Sequence, residues 1–208
     1  TGAGMLWVGW FGFNAGSALA ADENAAMALV ATHLSASMGA LAWMACEWRK
    51  YGKPSVLGVV TGMVAGLGTI TPASGSVSPG AALIIGLCAG IICFYATLFI
   101  KQKLKIDDSL DVFPVHGVGG ILGTFMVGIL CASDLGPFSG YGFGGGNESI
   151  GEQLSAQMIG IVSVFFYTGI VTWVILKAVD AITGLRVDDD DESMGLDLAL
   201  HEEKGYDL

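Results

Sequence analysis

Charged residues are scarce in this chain. Asp, Glu, Lys and Arg together fill 13% of its 208 positions, about half the ~25% share usual in a soluble domain. Hydrophobic residues reach 53%, and the mean hydropathy is +0.65. A soluble globule of this length cannot hide so much apolar surface, because the buried fraction levels off near ~70%. The 32 glycines follow no Gly-X-Y period, which excludes a collagen-like chain, and the apolar content excludes a disordered one. No Gly-Lys-Ser/Thr follows a glycine series, so there is no phosphate loop. Cys46, Cys88, Cys93 and Cys131 form no C-x-x-C pair and read as small apolar residues. Paired carboxylates, a Ser-His-Asp order and clustered metal ligands are missing from the apolar segments, which argues against an intramembrane enzyme. No metal, cofactor or nucleic-acid partner is expected. A polytopic all-α membrane protein remains.

The net charge of −10 at first opposes that class, since membrane surfaces on the cytoplasmic side are anionic. Its location removes the conflict. Beyond Arg186 stand nine acids and Lys204, a charge of −8, which leaves −2 for residues 1–186. The pattern therefore predicts a transmembrane region at 1–186 and an acidic tail at 187–208. Six apolar segments can cross a bilayer, which takes about 20 helical residues. They lie at about 2–20, 25–47, 55–71, 80–100, 112–132 and 153–180. All nine Lys and Arg residues lie in or beside the connections after spans two, four and six, and none in the others. By the positive-inside rule those connections and the tail are cytoplasmic, so the first span runs outward.

Small residues recur at four-residue spacing: Gly12 and Gly16, then Gly58, Gly62 and Gly66, Gly86 and Gly90, and Gly119 and Gly123. Such faces allow helices in lipid to approach closely. An ionisable residue inside a span is by default a functional candidate, and two histidines qualify. His116 is followed by Gly117, Gly119 and Gly120, which leave its ring space; a structural role and a place on a substrate path are its two readings. His33 carries less weight, because Thr32, Ser35 and Ser37 can satisfy it. The two differ in depth by roughly 10 Å at 1.5 Å per residue, so they are not expected to pair. Glu47 is expected at the interface beside Arg49 and Lys50. Asp111, ahead of Pro114, suits a helix N-cap. In the first span Trp10, Asn14 and Ser17 share one side with Trp7, beside Phe13. Aromatic faces with a hydroxyl can hold a small cation; an aromatic packing stripe is the other reading.

Several segments together carry a family resemblance. The run Gly9-Trp10-Phe11-Gly12-Phe13-Asn14-Ala15-Gly16-Ser17 resembles the sixth-helix signature of the ammonium transporter (Amt/Mep/Rh) family. Thr71-Pro72-Ala73-Ser74-Gly75 resembles its Thr-Pro-Ala-x-Gly segment. The run Asp111-Val112-Phe113-Pro114-Val115-His116-Gly117-Val118-Gly119-Gly120 resembles the segment with the second of its twin pore histidines. Gly184-Leu185-Arg186-Val187 and Gly195-Leu196-Asp197 resemble its C-terminal tail.

This resemblance implies helices six to eleven of an eleven-helix fold, namely the second inverted repeat, the eleventh helix and the cytoplasmic tail. The start at Thr1 carries the expectation that a preceding portion is missing. On the same resemblance, Ser17 corresponds to the hydroxyl of an outer cation-recruitment site and Phe13 to one ring of a phenylalanine gate. His116 corresponds to one of the twin histidines of a hydrophobic pore, with Trp10, Asn14 and Thr71 near the path; His33 does not match. It further implies ammonium or ammonia as the substrate and a homotrimer in the plasma or inner membrane. The tail becomes a docking surface for a PII-type signalling protein. An ammonium sensor with the same fold is the alternative.

Overall fold

The computed structural model describes residues 1–205, and every regular element among them is helical. Residues 206–208, the end of the expected tail, lie outside the described residues. The elements are α1 (Gly2–Gly16), α2 (Glu23–Tyr51), α3 (Val56–Ile70), α4 (Pro79–Leu98), α5 (Gly119–Leu130), α6 (Ile150–Thr183), α7 (Asp189–Met194) and α8 (Leu196–His201). Two π-helical turns extend them: Phe99–Lys103 continues α4, and Phe113–Val118 leads into α5. The chain divides into two compact units, Thr1–Ile161 and a second from Val162 onward.

Helices stand at all six expected spans, but not all at spanning length. Glu23–Tyr51, Pro79–Lys103, Phe113–Leu130 and Ile150–Thr183 are long and apolar enough to cross a membrane. α1 and α3 have 15 residues each, about 22 Å of helix against ~30 Å of hydrocarbon. The first span was expected to reach residue 20. It stops at Gly16, because the chain turns from Ser17 on and Leu19 adopts a φ of +59°.

Local chemistry sets the helix ends. Asp22 caps α2 by accepting from the Ala25 amide at 3.0 Å, and Gly52 closes it in the left-handed region at φ 79°. That conformation carries no penalty without a Cβ. Ser55 caps α3 through the Gly58 amide at 2.8 Å. Ser78 caps α4, where Pro79 stands in the first turn and needs no amide partner.

One sequence expectation is extended and another is corrected. Glu47, near Arg49 and Lys50 at the end of α2, also accepts from the Ser55 amide at 2.7 Å and the Ser55 hydroxyl at 3.1 Å, joining α2 to the start of α3. Asp111 is not the cap of the His116 helix. Asp108 fills that role, one oxygen accepting from Val112 N at 2.9 Å and the other from Phe113 N at 2.8 Å. The longer reach from Asp108 serves two amides at once, while Asp111 at φ +56° pairs with Lys101 at 2.8 Å.

In the first unit α2 packs against both α3 and α4. Glycines make the approach possible. A Cβ on Gly66 or on Gly86 would strike the Ser35 carbonyl, and one on Gly90 would lie 2.5 Å from the Gly39 oxygen. The Ser35 hydroxyl uses this closeness to donate to the Gly66 carbonyl at 2.9 Å. Around these contacts Ile70, Ala73, Val77, Ala82 and Ile85 form one buried cluster, and Trp43, Ala65, Cys93, Phe94 and Val115 another. The second unit begins within α6, whose spanning window has no buried residue. α7 and α8 follow, with Arg186 Nη2 3.1 Å from Glu192 Oε1.

Candidate functional site

The polar stripe of α1 splits in two. Trp10 donates its indole N–H to the Thr71 hydroxyl at 2.8 Å, and that hydroxyl donates to the Leu67 carbonyl at 2.8 Å. Asn14, 6% exposed, donates to the Thr32 hydroxyl at 2.9 Å, which in turn donates to the Ala28 carbonyl at 2.6 Å. These chains satisfy buried donors and bind α1 to the end of α3 and to α2. Each such bond contributes on the order of 1 kcal/mol net, and leaving one partner behind costs more. Trp10, Asn14 and Thr71 thus act first as braces.

Phe13 and Ser17 face outward. Phe13 is 61% exposed and meets Trp10 edge to face at 6.1 Å. The Ser17 hydroxyl is exposed and donates to the Phe13 carbonyl at 2.7 Å, which leaves its lone pairs available. An open groove of about 620 Å³ runs along the same face, lined by Gly2, Met5, Leu6, Gly9, Trp10 and Phe13. Its lining is apolar apart from the Trp10 indole.

His116 is exposed on the π-helical turn before α5, with Nδ1 3.3 Å from the Val112 carbonyl. In the tautomer that donates this bond, Nε2 is left as an acceptor. Pro114 and Val115 on the same turn are buried, so the turn is seated on one side and presents the imidazole on the other. π-turns of this kind recur at functional sites. Among the described residues no hydrogen bond or ring contact joins His116 to the α1 group.

His33 lies apart from His116 in its contacts, packed on Trp7 at 5.2 Å and Phe11 at 6.0 Å. The expected satisfaction by nearby hydroxyls does not occur. Thr32 serves Ala28, Ser35 serves Gly66, and Ser37 donates to the His33 backbone carbonyl rather than to its ring. Helical hydroxyls have a carbonyl one turn back within reach, and that local acceptor wins.

Sequence reasoning missed Lys101, Asp108 and Thr32 as supports of these residues. Only Asp108 left a readable signal, as an acid a few residues before a proline-started helix. Lys101 and Thr32 act on partners 10 and 18 residues away, which no local spacing reveals.

The all-helical fold with several spanning helices defines a multi-pass membrane protein. The family model of the Ammonium Transporter Family matches residues 1–206, and the chain belongs to that family. It is 47% identical over 205 residues to the ammonium transporter Amt1 of Archaeoglobus fulgidus, covering 99% of this chain and 51% of the relative. It is 40% identical to the Bacillus subtilis ammonium transporter, covering 99% and 50%. Among solved structures, the Sensor Amt Protein superposes with a TM-score of 0.86 at 32% identity, over 96% of this chain and 47% of that one. Saccharomyces cerevisiae Mep2 gives 0.79 at 35% identity, over 91% and 43%. The chain thus spans about half the length of the curated relatives it matches.

Proposed function

We propose that this chain forms one side of a pathway for ammonium or ammonia across the cell membrane. The observation that carries this reading is the likeness to proteins named ammonium transporters along nearly the whole chain. The groove that exposes Phe13 and Trp10 supports it.

In this mechanism the cation is recruited from outside by the Ser17 lone pairs and by aromatic faces. A cation over an aromatic ring gains about 0.5–2 kcal/mol, which offsets part of its dehydration. Phe13 bars hydrated ions below that point. Carrying a bare charge into hydrocarbon costs many kcal/mol, so the ion gives up its proton to water on the outer side before the narrow segment. The acceptor nitrogen of His116 then takes a hydrogen bond from the neutral guest. Trp10, Asn14 and Thr71 hold the α1 wall at fixed spacing. The connections rich in Lys and Arg and the acidic C-terminal tail face the cytoplasm, the assembly is a homotrimer, and the tail docks a PII-type regulator.

The test is His116→Ala in the protein expressed from its complete gene, read as labelled methylammonium uptake into proteoliposomes. Loss of uptake or altered selectivity is expected; unchanged rate and selectivity would remove His116 from the path. A sensor is the second reading, suggested by the likeness to the Sensor Amt Protein at 32% identity. Binding of ammonium without uptake in the same liposomes would select it.

A further inference from the structure

We infer that Lys101, Asp108 and Asp111 are positioning residues: they hold the π-helical turn that presents His116 and so set the direction of its imidazole. The proposal rests on the reading of His116 as a residue of the substrate path.

Three observations meet here. The connection between α4 and α5 begins and ends in π winding, at Phe99–Lys103 and Phe113–Val118. A π turn has one residue more than the α turn it replaces, and it persists only where its surroundings demand it. The surroundings are visible. Lys101, in the first π turn, reaches Asp111 at 2.8 Å, directly ahead of the second. Asp111 itself sits at φ +56°, a region that non-glycine residues seldom occupy without an external constraint. Its carbonyl accepts from the Val115 amide at 3.1 Å, so the strained residue begins the turn's own ladder. Asp108 then secures Val112 and Phe113 with both carboxylate oxygens.

The third observation is how tightly the far side of the turn is seated. A Cβ on Gly119 would lie 2.8 Å from the Thr69 hydroxyl, and one on Gly123 would strike the Thr69 carbonyl. The helix beyond His116 is therefore packed closely on the end of α3. If the clasp is released, the change must fall on the π turn itself. Relaxing it to α winding moves the register by one residue, about 100° of helix rotation. The imidazole and its Val112 bond would be carried with it.

The experiment uses the protein expressed from its complete gene in lipid bilayers, with 15N-labelled histidine read by solid-state NMR and methylammonium uptake read in parallel. His116→Ala assigns the His116 ring signals. Asp111→Asn and Lys101→Met should each shift those signals and lower uptake about tenfold, within the range known for misplaced functional groups. The pair of substitutions together should do no more than either alone, and Lys101→Arg should restore both readouts. Should Asp111→Asn prevent folding, Lys101→Met carries the test, because it leaves the Asp108 cap intact. Ring signals that stay in place in the folded variants overturn the clasp. Signals that move while uptake and selectivity stay unchanged uphold the clasp and instead overturn the path reading of His116.

Discussion

Where α3 and α4 pack on α2, and again on the outward face of α1, glycines recur at four-residue spacing, with opposite results. In the first, Gly39, Gly66, Gly86 and Gly90 are so close to neighbouring backbone that a single added carbon would collide. In the second, Gly12 and Gly16 meet nothing within 4 Å. Spacing alone predicts a flat helix face; it does not say whether that face is filled. The closed face carries the core of the first unit, and the open one leaves Phe13 and the groove accessible.

One substitution made on both faces breaks the comparison most directly. Gly66→Ala should lower the stability of the detergent-solubilised protein by about 1–3 kcal/mol, because Ser35 and Ala36 backbone atoms cannot yield. A thermal melt reads it, and an unchanged midpoint would contradict the packing. Asn14→Ala comes next. It takes away the buried donor that meets Thr32, and a cost of about 1–2 kcal/mol is expected in the same melt. Gly12→Ala should have the smallest effect and the opposite sign, since open space leaves only the helix propensity gain of about 0.5–1 kcal/mol. A destabilised Gly12→Ala protein would mean that the α1 face is covered.

Where periodicity carries the information, the sequence could be read well. Helices occur at all six apolar segments, and the run from Asp111 to Gly120 marks the start of a helix with Pro114 and Val115 turned inward. Partners across the fold could not be read that way. Trp10 finds Thr71 across 61 positions, and the stripe that suggested a cation site says nothing of that bond. Asp111 has the right residue type for a cap, yet Asp108 reaches two amides and leaves Asp111 to an ion pair. The shortening of α1 was hidden for a related reason: a run of Ala and Gly is equally compatible with helix and turn until the chain commits at Leu19.

The Glu47 bridge has a consequence for motion. Helix N-termini at loop tips are ordinarily the first places where amides exchange with water. At the start of α3 the Ser55 amide is held by Glu47 and the Gly58 amide by the Ser55 hydroxyl. The short turn between α2 and α3 is therefore a slow corner, and opening it requires a carboxylate, a hydroxyl and two amides to let go together. Amide exchange at Ser55 and Gly58 measures this directly; both should speed up in Glu47→Ala while the middle of α2 stays protected.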